Sequence, residues 1–390
     1  MSIFLLPVSF SVWYDGRNFI GGDKGKAMSF LKKPFFKKYL LPGFVFQSVI
    51  IGGGYGTGRE LVEFFLNYGP LGGLLGMVLV TTVMWSVLLA ISFEFSRKFK
   101  AYDYRTFFKN LLGPFWFAFE IIYSLYMFIV LAVVGSAAGI ILRDNFGIPY
   151  IVGVIIMLTA VGFLTFKGSG LIENFLSVWS MVLYLIYGIL FVVAVIKFGP
   201  VIHQNFQSSL VKSGWALGGF KYALYNLGNI AAVFFCLNHI EKRKEAISAG
   251  LIGGVIGIFP AVLFYVAVVG LYPGILPEEI PAVFVLQKAG IAVLLIVFQI
   301  MLFGTLIETG TGFIHSVNQR IQSTLESKGK KLLQWQRPVV ALTLLLIALG
   351  ISTFGLINLI AKGYGAASWG FLIVFIIPLV TIGLYKIVKR

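Results

Sequence analysis

The chain has 390 residues, of which 58% are hydrophobic and only 12% charged. Soluble domains carry about twice that charged fraction, so a soluble enzyme or binding module is excluded. The formal net charge of +16 does not require nucleic acid, because the basic residues gather in segments between apolar runs, where they orient a membrane protein and meet anionic lipid.

The chain opens on "MSIFLLPVSFSVW", which is apolar but short, with no basic region before it, and so fits a signal peptide poorly. Met28 begins "MSFLKKPFFKKYLLPGF", which reads as a natural start. Residues 1–27 are therefore expected to be disordered or to reflect a start codon placed too far upstream, within a cytoplasmic segment 1–39. Ten apolar runs follow, at about 40–64, 70–96, 112–142, 149–166, 170–198, 215–238, 247–272, 290–316, 338–357 and 364–388. Each is long enough, at roughly 18 residues or more, to cross a bilayer as a helix, and none alternates with the period of two that a membrane barrel needs. The expectation is an all-α membrane protein with ten transmembrane helices. Basic clusters at Lys32, Lys33, Lys37 and Lys38, at Arg97, Lys98, Lys100, Arg105 and Lys109, at Lys242, Arg243 and Lys244, and at Arg320, Lys328, Lys330, Lys331 and Arg337 mark alternate loops. They place both termini in the cytoplasm of a multi-pass plasma-membrane protein.

The first run contains "SVIIGGGYGTGRELVEFF", with five glycines between Gly52 and Gly58. Glycine at this density breaks a helix, and irregular backbone inside a bilayer must line a cavity or lie within protein. Glycine-mediated helix packing is the competing reading, but it needs glycine on one face at spacing four, and here glycine covers every face. The break would leave free carbonyls on an inner half-helix, suited to a cation, and free N–H groups on an outer one, suited to an anion. Candidate substrate-binding residues are therefore Gly53, Gly54, Tyr55, Gly56, Thr57 and Gly58. Arg59 and Glu60 follow; they either pair with each other or serve an outer gate.

Tyr126 lies near the middle of the third run and is a further substrate candidate. The sixth run is interrupted by "YNLGN", which adds Tyr225, Asn226 and Gly228. Breaks in the first and sixth of ten spans are the pattern of a 5+5 inverted repeat, here about 40–198 and 213–388 within one transporter domain, 40–390. The loop "PEEIPAVFVLQKAG", 277–290, reads as an outer lid with a short helix. In the eighth run, "LFGTLIETGTGFIHSVNQRI", an ionisable residue at membrane depth, Glu308, is a functional candidate by default. Thr305, Glu308, Thr309, Gly312 and His315 share one helical face. Their oxygens suit a hard cation, and a buried carboxylate can itself carry a proton; a structural ion pair is the competing role. Glu94, Glu120 and Glu173, nearer helix ends, read as structural pairs. One cysteine, three scattered histidines and no HExxH leave no disulfide framework, metal site or catalytic constellation.

"GGGYGTGRELVEFF" and "GTLIETGTGFIHSVNQRI" resemble the bacterial membrane-protein family labelled YkvI, and the ten spans resemble the LeuT-type fold of the amino acid–polyamine–organocation superfamily, over about residues 30–390. The resemblance implies a secondary transporter with its solute between the first, third, sixth and eighth helices, and it places Gly52 and Thr309, with Glu308, at a sodium or proton coupling site, to which the shared helical face adds Thr305. Two departures from relatives stand out: no lysine lies mid-way along the fifth run, and the tenth run has no acid to meet Arg59. The function expected is coupled transport of a small zwitterionic solute, an amino acid or amine, with lipid and solute as partners and no cofactor beyond a sodium ion. The carboxylate would meet the N–H groups of Gly56, Thr57 and Gly58, and the ammonium the carbonyls near Tyr225 and Asn226. A ligand receptor without flux is the rival class.

Overall fold

A computed structural model of the protein describes residues 33–167, 169–326, 333 and 335–389, and their side chains except 164–184 and several positions between 315 and 338. Residues 1–27 and the side chains of Glu173 and His315 lie outside the described residues. Among the described residues the chain is helical, with no strand. The helices are α1 Leu41–Ile50, α2 Gly53–Thr57 and α3 Arg59–Phe64, then α4 Pro70–Phe99, α5 Tyr104–Leu112, α6 Phe117–Phe146, α7 Tyr150–Lys167 and α8 Ser169–Gln207. The second half holds α9 Trp215–Leu227, α10 Arg243–Val269, α11 Pro281–Ala289, α12 Ala292–Glu326 and α13 Gln336–Ser352, and ends with α14 Leu356–Lys389.

Among the described residues, six helical stretches are long and apolar enough to cross a membrane: Pro70–Phe99, Tyr104–Phe146, Leu185–Gln207, Arg243–Val269, Ala292–Ile314 and Leu356–Lys389. Two further apolar runs form α7 Tyr150–Lys167 and α13 Gln336–Ser352, whose described side chains cover Tyr150–Phe163 and Val339–Ser352, and the runs at 41–64 and 215–239 are each divided into short pieces. Bulky apolar side chains are exposed at helical spacing, as at Val293, Ile296, Val297 and Ile300 on α12. Water would not tolerate such continuous stripes; lipid does. The protein is a multi-pass membrane protein.

With hydrocarbon outside, burial of apolar surface cannot by itself hold helices together, and close packing and interhelical hydrogen bonds take over. The α4–α10 contact depends on two glycines one turn apart. A Cβ on Gly250 would stand 2.2 Å from the Ala90 nitrogen, and one on Gly254 would stand 2.4 Å from that of Ser86. The backbones meet so closely that the Ser86 hydroxyl donates to the Leu251 carbonyl at 3.0 Å. Trp85 in turn ties α4 to α9, its ring N–H donating to the Ala223 carbonyl at 3.1 Å. α6 runs through the interior, nearly every residue from Val130 to Ile141 being buried.

Most charges sit near helix ends. Glu245 accepts from the backbone N–H groups of Glu241 and Lys242 at 3.0 and 3.1 Å, capping α10, and pairs with Lys38 at 3.0 Å. That hydrogen bond holds the Lys38 ammonium above the ordinary lysine range. Glu94 pairs with Arg97 at 2.7 Å and Glu120 with Arg320 at 3.0 Å, the structural roles read from the sequence. Gly250→Leu or Gly254→Leu should force α4 from α10 and cost about 1–3 kcal/mol or more, seen as a lower melting temperature in detergent. Gly188→Leu, with nothing within 4 Å of its added Cβ, should leave that temperature nearly unchanged.

Candidate functional site

The glycine run does not continue the helix. After Ile50 the chain leaves helical geometry at Ile51 (φ −79°, ψ 83°) and becomes extended at Gly52 (φ −111°, ψ −167°), then re-enters helix at Gly53. Gly58, at φ 80°, ends α2 and begins α3. A side chain is disfavoured there twice over, by the left-handed backbone and by the Phe264 ring, 2.8 Å from where a Cβ would stand. Thr57 repairs the ladder at this point: its hydroxyl donates to the Gly54 carbonyl at 2.7 Å and accepts from the Arg59 N–H at 3.2 Å. Residues 53–62 are buried throughout, so the irregular backbone faces protein rather than lipid, as hydrocarbon requires.

Three helices pack against the interruption. A Cβ on Gly52 would lie 3.7 Å from the Thr309 methyl of α12, and one on Gly53 would crowd Leu306 of α12 and Val134 of α6. The Gly56 carbonyl accepts from the Tyr187 hydroxyl of α8 at 3.1 Å. On α12 the Thr305 hydroxyl donates to the Met301 carbonyl at 3.0 Å and the Thr309 hydroxyl to the Thr305 carbonyl at 2.9 Å. Each hydroxyl oxygen keeps acceptor capacity. Glu308 is half-buried beside Thr309.

The second interruption follows α9. Its last carbonyls, at Tyr225 and Asn226, accept the Gly228 N–H, and two 3₁₀ stretches, Gly228–Ala232 and Phe234–His239, replace regular helix. The Asn226 amide donates back to the Tyr222 carbonyl at 3.0 Å. Gly228 makes room for a ring: a Cβ there would lie 2.4 Å from Phe371 of α14. The two interruptions meet through side chains, the Tyr225 hydroxyl donating to Glu60 Oε2 at 2.5 Å. Around that contact, the Tyr225 ring lies 4.8 Å from Tyr364, 5.5 Å from Tyr222 and 6.2 Å from Tyr126. The sequence had pointed to Tyr126 and Tyr225 but not to Tyr187, Tyr222 or Tyr364. Their only signal is a hydroxyl inside an apolar run, which aromatic packing explains equally well.

Two readings of the motif need correction. The N–H groups of Gly56 and Gly58 are already engaged, donating to the carbonyls of Gly52 at 2.8 Å and Tyr55 at 2.9 Å. So short a helix closes on itself and leaves those donors no anion to seek. Arg59 and Glu60, being adjacent, point to opposite sides. Glu60 turns inward to Tyr225, while Arg59 pairs with Glu63 at 2.9 Å and donates to the Leu276 and Glu278 carbonyls at 2.7 and 3.0 Å. The loop that holds those carbonyls carries α11, and the Ala282 N–H end of α11 reaches Gly58. Glu279 of the same loop pairs with Arg143 at the end of α6 at 2.7 Å. Beside it a cavity of about 380 Å³ is lined by Arg143, Asp144, Glu278, Glu279 and Gln287. Among the described residues no group of three or more His, Cys, Asp or Glu side chains could hold a metal ion.

The fold is similar to that of solved LeuT-type membrane proteins. A manganese transporter of Eremococcus coleocola superposes with a TM-score of 0.55 at 16% identity, over 93% of this chain and 81% of the other. MhsT in complex with L-phenylalanine gives 0.52 at 14%, over 90% and 97%. A Na⁺-coupled sialic acid symporter in a substrate-bound, outward-open state gives 0.51 at 13%, over 97% and 86%. In sequence the chain is similar to the uncharacterised membrane protein YkvI of Bacillus subtilis, 26% identical over 291 residues, 74% of this chain and 82% of that one. The resemblance carried by the two motifs holds at both levels. No protein-family model matches the chain.

Arg59→Gln should release the loop that carries α11, since charge-assisted hydrogen bonds are lost. In a Cys236→Ser background, Ala282→Cys, buried in the parent, should then react with a maleimide about ten-fold faster or more. An unchanged rate would mean that Arg59 does not hold the loop.

Proposed function

We propose that the protein is a secondary transporter of a small solute, built as two inverted five-span repeats, about 40–198 and 213–388, around a midplane site. The Glu60–Tyr225 hydrogen bond carries this reading, because it joins the two interrupted segments in the interior. Interrupted helices at the centre of two inverted repeats are where alternating-access transporters hold their solute. The six long stretches, α7, α13 and the two divided segments make up the ten spans. An odd number of spans per repeat inverts the second repeat, and the basic loops then set both termini in the cytoplasm.

The solute is an amino acid or amine small enough to sit between Gly53–Gly58 and Tyr225–Gly228, with Tyr126 as a third wall. Coupling falls to the carbonyl side of the first interruption and the face of α12 that packs on it: Gly52, Thr305, Glu308 and Thr309. Hydroxyl and carboxylate oxygens suit sodium, and a carboxylate at that depth can equally carry a proton. Arg59, anchored to the loop before α11, serves as the gate on the outer side, in place of an acid on the tenth span. The structural neighbours named above, a manganese transporter and a Na⁺-coupled symporter among them, fit this class.

Topology is testable at once. Reporters fused after Lys244 and at the C-terminus should both read cytoplasmic and one near Glu278 outside; opposite sides for the first two would overturn the inverted repeat. In proteoliposomes the protein should accumulate solute against a gradient, whereas a ligand receptor of the same fold would bind without flux. Glu308→Gln should abolish ion-driven accumulation, a loss of about ten-fold or more, while exchange of solute persists. Full accumulation with normal ion dependence would remove Glu308 from the coupling site.

A further inference from the structure

Glu60 is 3% exposed. Its carboxylate lies against Gly54, where the absence of a Cβ leaves it room: a Cβ there would stand 2.2 Å from Oε1. Besides the Tyr225 hydroxyl, the backbone N–H of Tyr55 donates to it. Among the described residues no Lys or Arg pairs with Glu60. The one basic residue beside it in sequence, Arg59, is taken by Glu63 and the loop carbonyls. A carboxyl group enclosed in this way either holds a proton or calls for a counter-charge, and an entering cation can take the proton's place.

The surrounding wall has one chemical character. The rings of Tyr126, Tyr222 and Tyr364 surround Tyr225, whose hydroxyl holds Glu60, and aromatic faces are the negative side of a ring and attract cations. Among the described residues, two further buried polar atoms, the Tyr222 hydroxyl and Asn229 Oδ1, have no hydrogen-bond partner; both can accept an N–H. The donors that would favour an anion, the N–H groups of Gly56 and Gly58, are engaged within their own turns. A ligand carboxylate would therefore meet a like charge, ring faces and acceptors. An ammonium would meet a carboxylate, ring faces and open acceptors.

We infer that the solute held between the two interruptions is recognised as an organic ammonium, a primary or secondary amine, with Glu60 as its counter-ion and Tyr126, Tyr222, Tyr225 and Tyr364 as the surrounding rings. This rests on the reading that a solute binds there at all, and narrows it: the amine is required and a ligand carboxylate is not. An inorganic cation fits less well, because one carboxylate among tyrosine rings offers few oxygens compared with the six or more that a hard divalent cation takes.

The test is equilibrium binding to the purified full chain, by calorimetry and thermal shift, with butylamine and phenethylamine against the alcohol and carboxylate of the same skeleton. At least one amine should bind about ten-fold more tightly, or better, than its alcohol and its carboxylate. Glu60→Gln should remove that preference while leaving alcohol binding as it was, and Glu60→Asp should retain part of it. Should Glu60→Gln fail to fold, the wild-type chain still decides: the bound amine should protect Glu60 from dicyclohexylcarbodiimide, read by peptide mass spectrometry. The proposal is overturned if neither amine binds, if the carboxylates bind as well as the amines, if sodium alone protects Glu60, or if Glu60→Gln keeps the amine preference. Flux is not measured, so amine binding through Glu60 without transport would sink the transporter reading and leave this one standing. Concentrative uptake of a solute that needs its carboxylate, undiminished in Glu60→Gln, would do the reverse.

Discussion

Backbone that leaves the helix inside an apolar bundle must find partners within the protein, since lipid offers none. The turn at Ile51 and Gly52 meets that constraint with local bonds, the Gly52 N–H reaching the Ile50 carbonyl at 3.0 Å and the Gly56 N–H reaching the Gly52 carbonyl at 2.8 Å. What it cannot supply locally, the neighbouring helices provide: the Tyr187 hydroxyl for the Gly56 carbonyl, and close apolar packing from Leu306 and Val134. The buried position of residues 53–62, the insertion of α2 between α6 and α12, and the approach of Thr309 to Gly52 all follow from that requirement.

The placement of charge follows the same logic on a larger scale. Lys38–Glu245, Arg97–Glu94, Arg320–Glu120 and Arg143–Glu279 lie near helix ends, where water is close and pairing is inexpensive. Glu60 has no such partner and is held instead by a tyrosine hydroxyl and a backbone N–H. Fixed polar groups inside a membrane bundle are costly to keep, and this one sits at the meeting point of two interrupted helices. Arg59, one residue away, points outward and fastens the loop that carries α11. Adjacent residues thus join different parts of the bundle, Glu60 the second interruption and Arg59 the loop before α11.

The local physics of the chain was legible from its residues alone. Run lengths gave membrane helices, the glycines gave the place where the first run leaves its helix, and the two motifs carried the likeness to YkvI and the LeuT-type fold. These properties depend on neighbours a few positions apart, which a sequence displays. The count of uninterrupted spans was less legible, because a hydrophobic run does not reveal how much of it stays helical. Partnership was not legible at all. That Arg59 binds Glu63 rather than Glu60, that the Gly56 and Gly58 N–H groups are already used, that Gly228 admits the Phe371 ring, and that Glu60 meets Tyr225 from 165 positions away were decided by tertiary packing. Each depends on which helix faces arrive at the same point, and no local pattern of residue types encodes that meeting.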